Sequence, residues 1–244
     1  MAATRGVEIS CRDGRGILLL APSPNRMISA LVFDFDGLIV DTETPLVEAW
    51  VELHAEHGLP CDLAKAHGVV GHVGIDFDPW SAFPLRQDRI ELEREYRRRT
   101  RLYTNRQPIL PGVTALLDEA KRRGLGLAVA SNSDHTHVER HLDRLALRPY
   151  FAAIRCIDDV TAGKPAPDVY LAALKALDAD AAASVAFEDS VPGHVAAKRA
   201  GMNCVVVPNP STAHFNFPQA DLRLTSLAHT TFDELLARFS ARAG

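Results

Sequence analysis

A chain of 244 residues can form one large domain or a domain with a smaller insert, and 47% hydrophobic with 24% charged residues is an ordinary globular composition. Its 27 basic and 31 acidic residues leave a formal net charge of -4, which gives no electrostatic footing for nucleic acid or an anionic membrane surface. The four cysteines, Cys11, Cys61, Cys156 and Cys204, are scattered, without the close pairs of a zinc site or the density of a disulfide scaffold. Reduced thiols and a cytoplasmic location are expected.

Residues 1–27 surround one apolar patch, 17–21, with arginines, glycines and prolines. The patch is too short for a membrane helix and shorter than the roughly 7–15 apolar residues of a secretory signal. A poorly ordered extension or a flexible arm is expected, because a start at Met27 would still leave a complete domain. The next stretch, Leu31-Val32-Phe33-Asp34-Phe35-Asp36-Gly37, reads as a buried parallel strand that ends in two carboxylates. Two acids so close repel unless a cation or a shared proton intervenes. A divalent metal beyond the strand end is expected there; the plainer alternative is a strand finishing in a polar turn.

From Thr44, with Pro45 in the first turn, the spacing of Leu46, Trp50 and Leu53 predicts a helix ending near Gly58, with Trp50 in a core. Residues 59–85 are irregular, and 87–103 predict a charged helix whose scarce apolar positions are Ile90, Tyr96 and Leu102. Arg97, Arg98 and Arg99 have acidic neighbours in Glu91, Glu93 and Glu95, which favours a solvated face over an anion site. Residues 113–123 then predict a helix, and 125–133 a second buried strand ending in Ser131, Asn132 and Ser133. Ser133 and Asp134 are also natural caps for a helix over 136–145.

A third strand over 151–157 leads to Gly163-Lys164-Pro165-Ala166-Pro167-Asp168. The two prolines restrict this loop, so Lys164 can present its ammonium in a fixed direction toward a phosphoryl oxygen or a carboxylate. A helix over 168–177 precedes a fourth strand that ends in Glu188 and Asp189, and Asp189 or Ser190 can cap the next helix, 191–200. A fifth strand, 204–207, and a closing helix, 231–239, complete the pattern.

Asp34-Phe35-Asp36-Gly37 with Asp41-Thr42-Glu43, then Ser131, the Gly-Lys-Pro-x-Pro-Asp loop and Glu188-Asp189, taken in this order, resemble the four motifs of the haloacid dehalogenase-like hydrolases over roughly residues 28–240. Their phosphatase and phosphomutase branch is the nearer likeness. The resemblance implies a doubly wound parallel α/β core (28–42 and 108–244) with a helical cap (43–107) inserted after the first strand. It implies Asp34 as the nucleophile that becomes an aspartyl phosphate, Asp36 as general acid and base, and Ser131 and Lys164 as holders of the phosphoryl group. Asn132 is expected to assist at the substrate. Mg²⁺, a hard cation that prefers oxygen ligands, is expected among Asp34, Asp36, Glu188 and Asp189. Asp36 argues against the dehalogenase and ATPase branches. Where the β-phosphoglucomutase subgroup carries a cap histidine, this chain has Leu46, which favours phosphatase over mutase; a phosphometabolite-binding protein is the non-enzymatic alternative. His67 and His72 are the cap residues expected to face substrate. The expected partner is a small phosphorylated metabolite, with neither nucleic acid nor membrane, and the expected state is a monomer or weak dimer.

Overall fold

The computed structural model describes residues 27–63, 78, 80–84 and 88–240. The extension expected over 1–27, apart from Met27, lies outside the described residues, as do His67 and His72. Six strands form one parallel sheet in the order β3-β2-β1-β4-β5-β6: β1 (Ala30–Phe33), β2 (Gly126–Ala130), β3 (Ala153–Arg155), β4 (Ser184–Glu188), β5 (Asn203–Val206) and β6 (Leu222–Arg223). Two-residue β6 was not foreseen, since a strand this short has no periodicity to read.

The described helices are α1 (Thr44–Glu56), α2 (Arg89–Thr104), α3 (Val113–Arg122), α4 (His135–Arg144), α5 (Asp168–Leu177), α6 (Val191–Arg199) and α7 (Phe232–Ser240). Alternate strand residues serve opposite faces of the sheet. Leu31 and Phe33 of β1 join Phe187, α3, α4 and α7 in one buried cluster, and Val32 joins α5 and α6 in another. Phe33 and Phe187 stack with centroids 4.7 Å apart. Both faces being covered explains why the strands read as unbroken apolar runs.

Between β1 and β2 the chain leaves the sheet to form α1 and α2, which pack on each other through a separate cluster of Val47, Trp50, Leu53, Trp80, Phe83 and Leu92. Trp50 lies in this core as expected. On α2 the buried positions are Leu92 and Thr104, whereas Ile90 is 72% exposed and Leu102 39% exposed. The partner helix selects one stripe, and a pattern with so few apolar residues did not reveal which. Glu93 pairs with Arg97, Glu95 with Arg98, and Arg99 reaches across to Glu56 at 2.7 Å. The arginines are thus committed to acids, which agrees with a solvated face rather than an anion site. Asp41 Oδ1 accepts from the backbone N–H groups of Glu43 and Thr44 and so fixes the start of α1.

Candidate active site

β1 lies between β2 and β4, and the chain winds outward from it in both directions, so a crevice opens where the strand order reverses. Phe33 is paired in register with Phe187, which places the next residues, Asp34 and Glu188, side by side at the strand ends. Asp189 follows. Carboxylate oxygens of Asp34, Glu188 and Asp189 lie within 4.8 Å of one another, and all three residues are buried. Lys164 Nζ donates to Asp34 Oδ1 at 2.5 Å and to Glu188 Oε1 at 2.6 Å. The loop lysine is therefore neither mobile nor solvated; its side chain is 4% exposed.

Several residues hold Lys164 and Glu188 in place. Asn132 Oδ1 accepts from Lys164 N and Asn132 Nδ2 donates to Lys164 O, so this side chain braces the Lys164 backbone. Tyr170 OH donates to Glu188 Oε1, and Ser190 Oγ donates to Glu188 Oε2. Gly193 comes so close that a Cβ there would stand 2.0 Å from the Glu188 carboxylate. Ser190 also caps α6 through Gly193 N, and Asp134 caps α4 through His137 N.

Asp36 stands apart from the group expected to share a metal. Its Oδ1 accepts from Thr42 Oγ1 at 2.7 Å and from His137 Nε2 at 2.8 Å, and its Oδ2 accepts from Ser133 Oγ at 2.6 Å and Ser131 Oγ at 3.3 Å. This carboxylate has its own cage of donors beside the three grouped acids. A cleft of about 350 Å³ joins the two groups, with Asp34, Asp36, Ser131 and Lys164 on the sheet side and Leu46, Thr100 and Thr104 of the helical pair facing them. That is room for a small molecule.

The electrostatics of the two groups differ. Burial, reinforced by the neighbouring acids, pushes Asp34 and Asp189 well above the usual carboxylate range, although Lys164 pulls Asp34 the other way. Lys164 holds its proton more tightly than usual: burial opposes the charge, but Asp34 and Glu188 outweigh it. Burial acts on Asp36 too, yet His137, Ser133 and Thr42 hold it below its ordinary value. The His137 imidazole is raised by Asp36 against its own burial. Three buried carboxylates facing one ammonium form an all-oxygen, anion-rich donor set, which fits a hard divalent cation such as Mg²⁺.

Glu43, at the foot of α1, is raised to about 7, first by burial. A carboxyl whose folded value exceeds its unfolded value stabilises the fold below the unfolded value, and that contribution is lost as pH rises through the folded one. Glu43, Asp34, Asp189 and His137 all act in this sense. His141, lowered to about 4 by burial and nearby cations, acts oppositely, but its contribution is complete above its ordinary value of 6.5. The melting temperature of the metal-free protein is therefore expected to fall between about pH 6.5 and 8. Mg²⁺ held by these acids would compete with protons for the same oxygens, so its stabilisation should be larger at pH 8. Differential scanning fluorimetry with EDTA or Mg²⁺ checks this, and a Mg²⁺ shift equal at both pH values would contradict it.

The haloacid dehalogenase-like hydrolase family model matches residues 28–201, and with the strand-end acids and Lys164 just described the chain belongs to that family. Within it, the chain falls among the phosphatase-type enzymes. It is 40% identical over 223 residues to the putative phosphatase YhcW of Bacillus subtilis, covering 88% of this chain and all of that one. It is 34% identical to hexitol phosphatase B of Escherichia coli, covering 88% of this chain and 99% of that one. The crystal structure of CbbY from Rhodobacter sphaeroides in complex with phosphate superposes with a TM-score of 0.68 at 31% identity, over 83% of this chain and 96% of that one. Among the described residues no helix is long and apolar enough to cross a membrane.

Proposed function

We propose that the chain is a Mg²⁺-dependent phosphatase that hydrolyses a small phosphorylated metabolite, a sugar phosphate or a near analogue, through an aspartyl-phosphate intermediate. The observation that carries this reading is the Lys164 ammonium set between Asp34 and Glu188, with Asp189 beside them, on the floor of a cleft of small-molecule size. Asp34 and Asp189 would hold Mg²⁺, with Glu188 contributing from behind, because both Glu188 oxygens already accept hydrogen bonds. When bound, the ion supplies positive charge that lets these acids ionise together and offsets charge on the phosphoryl oxygens.

Asp34 attacks phosphorus through a carboxylate oxygen; the bond to the leaving oxygen breaks, and Asp36 gives that oxygen a proton. Asp36 is held below its ordinary value while the His137 imidazole bonded to it is raised, so His137 is the member of the pair that keeps the proton for Asp36 to pass on. In the second half Asp36 takes a proton from water, the water oxygen bonds to phosphorus, and the bond to Asp34 breaks. Inorganic phosphate leaves and both carboxyl groups are restored. Lys164 steadies Asp34 and meets the phosphoryl oxygens, and Ser131 holds the same group.

The helical pair acts as a cap that excludes bulk water and contacts the leaving group through Leu46, Thr100 and Thr104, with His67 and His72 as further substrate contacts. Leu46 has no proton to offer a sugar, which favours hydrolysis over mutase chemistry. A hexitol phosphatase among the relatives supports a polyol or sugar phosphate. A phosphate-release assay over sugar phosphates, nucleoside monophosphates and phospho-acids tests the reading: turnover is expected with Mg²⁺ and none with excess EDTA. Activity indifferent to EDTA, or interconversion of sugar phosphates without phosphate release, would overturn it.

A further inference from the structure

Asn209, in the loop after β5, makes a bridge that the phosphoryl chemistry does not use. Its side chain is almost completely buried, at 8% exposure. Oδ1 accepts from the backbone N–H groups of Ser211 at 2.8 Å and Thr212 at 3.2 Å, which fixes the orientation of the amide. That leaves both Nδ2 hydrogens aimed at carboxylates: Asp189 Oδ2 at 2.8 Å and Glu43 Oε2 at 2.7 Å. Gly37 presses on the same junction. It has φ +79, and a Cβ there would stand 2.4 Å from Asn209 Nδ2 and 2.5 Å from Asp189 Oδ2.

The two carboxylates belong to different parts of the molecule. Asp189 is one of the three acids grouped at the strand ends, whereas Glu43 immediately precedes α1 at the root of the helical pair. They would otherwise repel in a buried setting, and a rigid amide offering one N–H to each removes that conflict. The amide holds Asp189 Oδ2 and makes no bond to Oδ1, the oxygen that would be left for a cation. Partners of this kind set the orientation of a metal ligand.

We propose that Asn209 is a positioning residue that orients Asp189 for the divalent cation and ties it to Glu43, so that metal binding and the root of the cap are coupled. The proposal rests on the metal-dependent reading above. Asn209→Ala removes both donors. Asn209→Ser provides a second variant, because a serine hydroxyl can still accept from the loop N–H groups but is too short to span two carboxylates.

The experiment uses the full chain with Mg²⁺ alone as probe, reading its affinity by isothermal titration and backbone exchange over residues 41–50 by hydrogen–deuterium exchange. Both variants should bind Mg²⁺ about tenfold or more weakly than wild type. Mg²⁺ should slow exchange over 41–50 in wild type and have no such effect in the variants at saturating metal. Thr212→Val, which removes the hydroxyl that accepts from Asn209 N without touching the amide bridge, should bind Mg²⁺ within about twofold of wild type if orientation of Asp189 is the cause. Wild-type affinity in Asn209→Ala or Asn209→Ser, or undiminished Mg²⁺ protection of 41–50 in either, would overturn the proposal alone. Failure of the wild-type chain to bind Mg²⁺ would overturn the metal-dependent reading and the proposal with it.

Discussion

Asp34→Asn is expected to lower kcat by about 10⁴-fold or more, as removal of the group that forms the covalent intermediate does. The fold should survive, because asparagine has nearly the same shape and its Oδ1 can still accept from Lys164. Breaking a buried ion pair ordinarily destabilises, but here Lys164 keeps Glu188 as a partner at 2.6 Å and one of three crowded acids loses its charge. The metal-free variant should therefore melt no lower than wild type. Steady-state kinetics and thermal melts at pH 7.5 check the two halves together. Activity within tenfold of wild type would remove Asp34 from the role of nucleophile.

Lys164→Met should be costly in both stability and activity. Methionine replaces the stem of the lysine but leaves Asp34 and Glu188 facing each other with side chains only 9% and 0% exposed. Loss of one partner from a buried charged group costs about 3–5 kcal/mol, and the rate should fall by about 10²-fold or more with loss of a donor aimed at developing charge. The stability deficit should shrink at pH 5, where the carboxyl groups can take up protons at less cost. Urea unfolding at pH 5 and pH 7.5 measures it. A deficit independent of pH would mean that lost packing, rather than unpaired charge, is responsible.

The parts of this molecule that the sequence makes legible are those whose signal is local. Apolar runs that stop at an acid or a hydroxyl mark strand ends in a parallel sheet, and so Asp34, Ser131, Glu188 and Asp189 could be placed at one edge before any coordinates. Lys164 was marked by the prolines around it. His137, Asn209 and Tyr170 carried no such mark. His137 lies in an unremarkable helical turn 101 residues from Asp36, and Asn209 lies 166 residues from Glu43; only tertiary folding makes either pair. Asp34 and Asp36 look equivalent in the sequence, yet the first turns toward Lys164, Glu188 and Asp189 while the second turns into the cage of Thr42, Ser133 and His137. Residues two apart would share a face in a continuing strand, but β1 ends at Phe33; the backbone turns after it, and the sequence does not announce which partners each side chain will then meet.

In the proposed mechanism phosphate passes through a covalent bond to Asp34, and that bond can be trapped. The chain is mixed with a ³²P-labelled sugar phosphate that it turns over in the presence of Mg²⁺, quenched in acid within the first turnover and digested, and the label is located by mass spectrometry. The label is expected on the peptide carrying Asp34 in wild type, to be discharged as inorganic phosphate when the enzyme is chased with unlabelled substrate, and to be absent in Asp34→Asn. Phosphate release at the wild-type rate with no labelled protein at any quench time, or a label on another residue that persists in Asp34→Asn, would contradict the account.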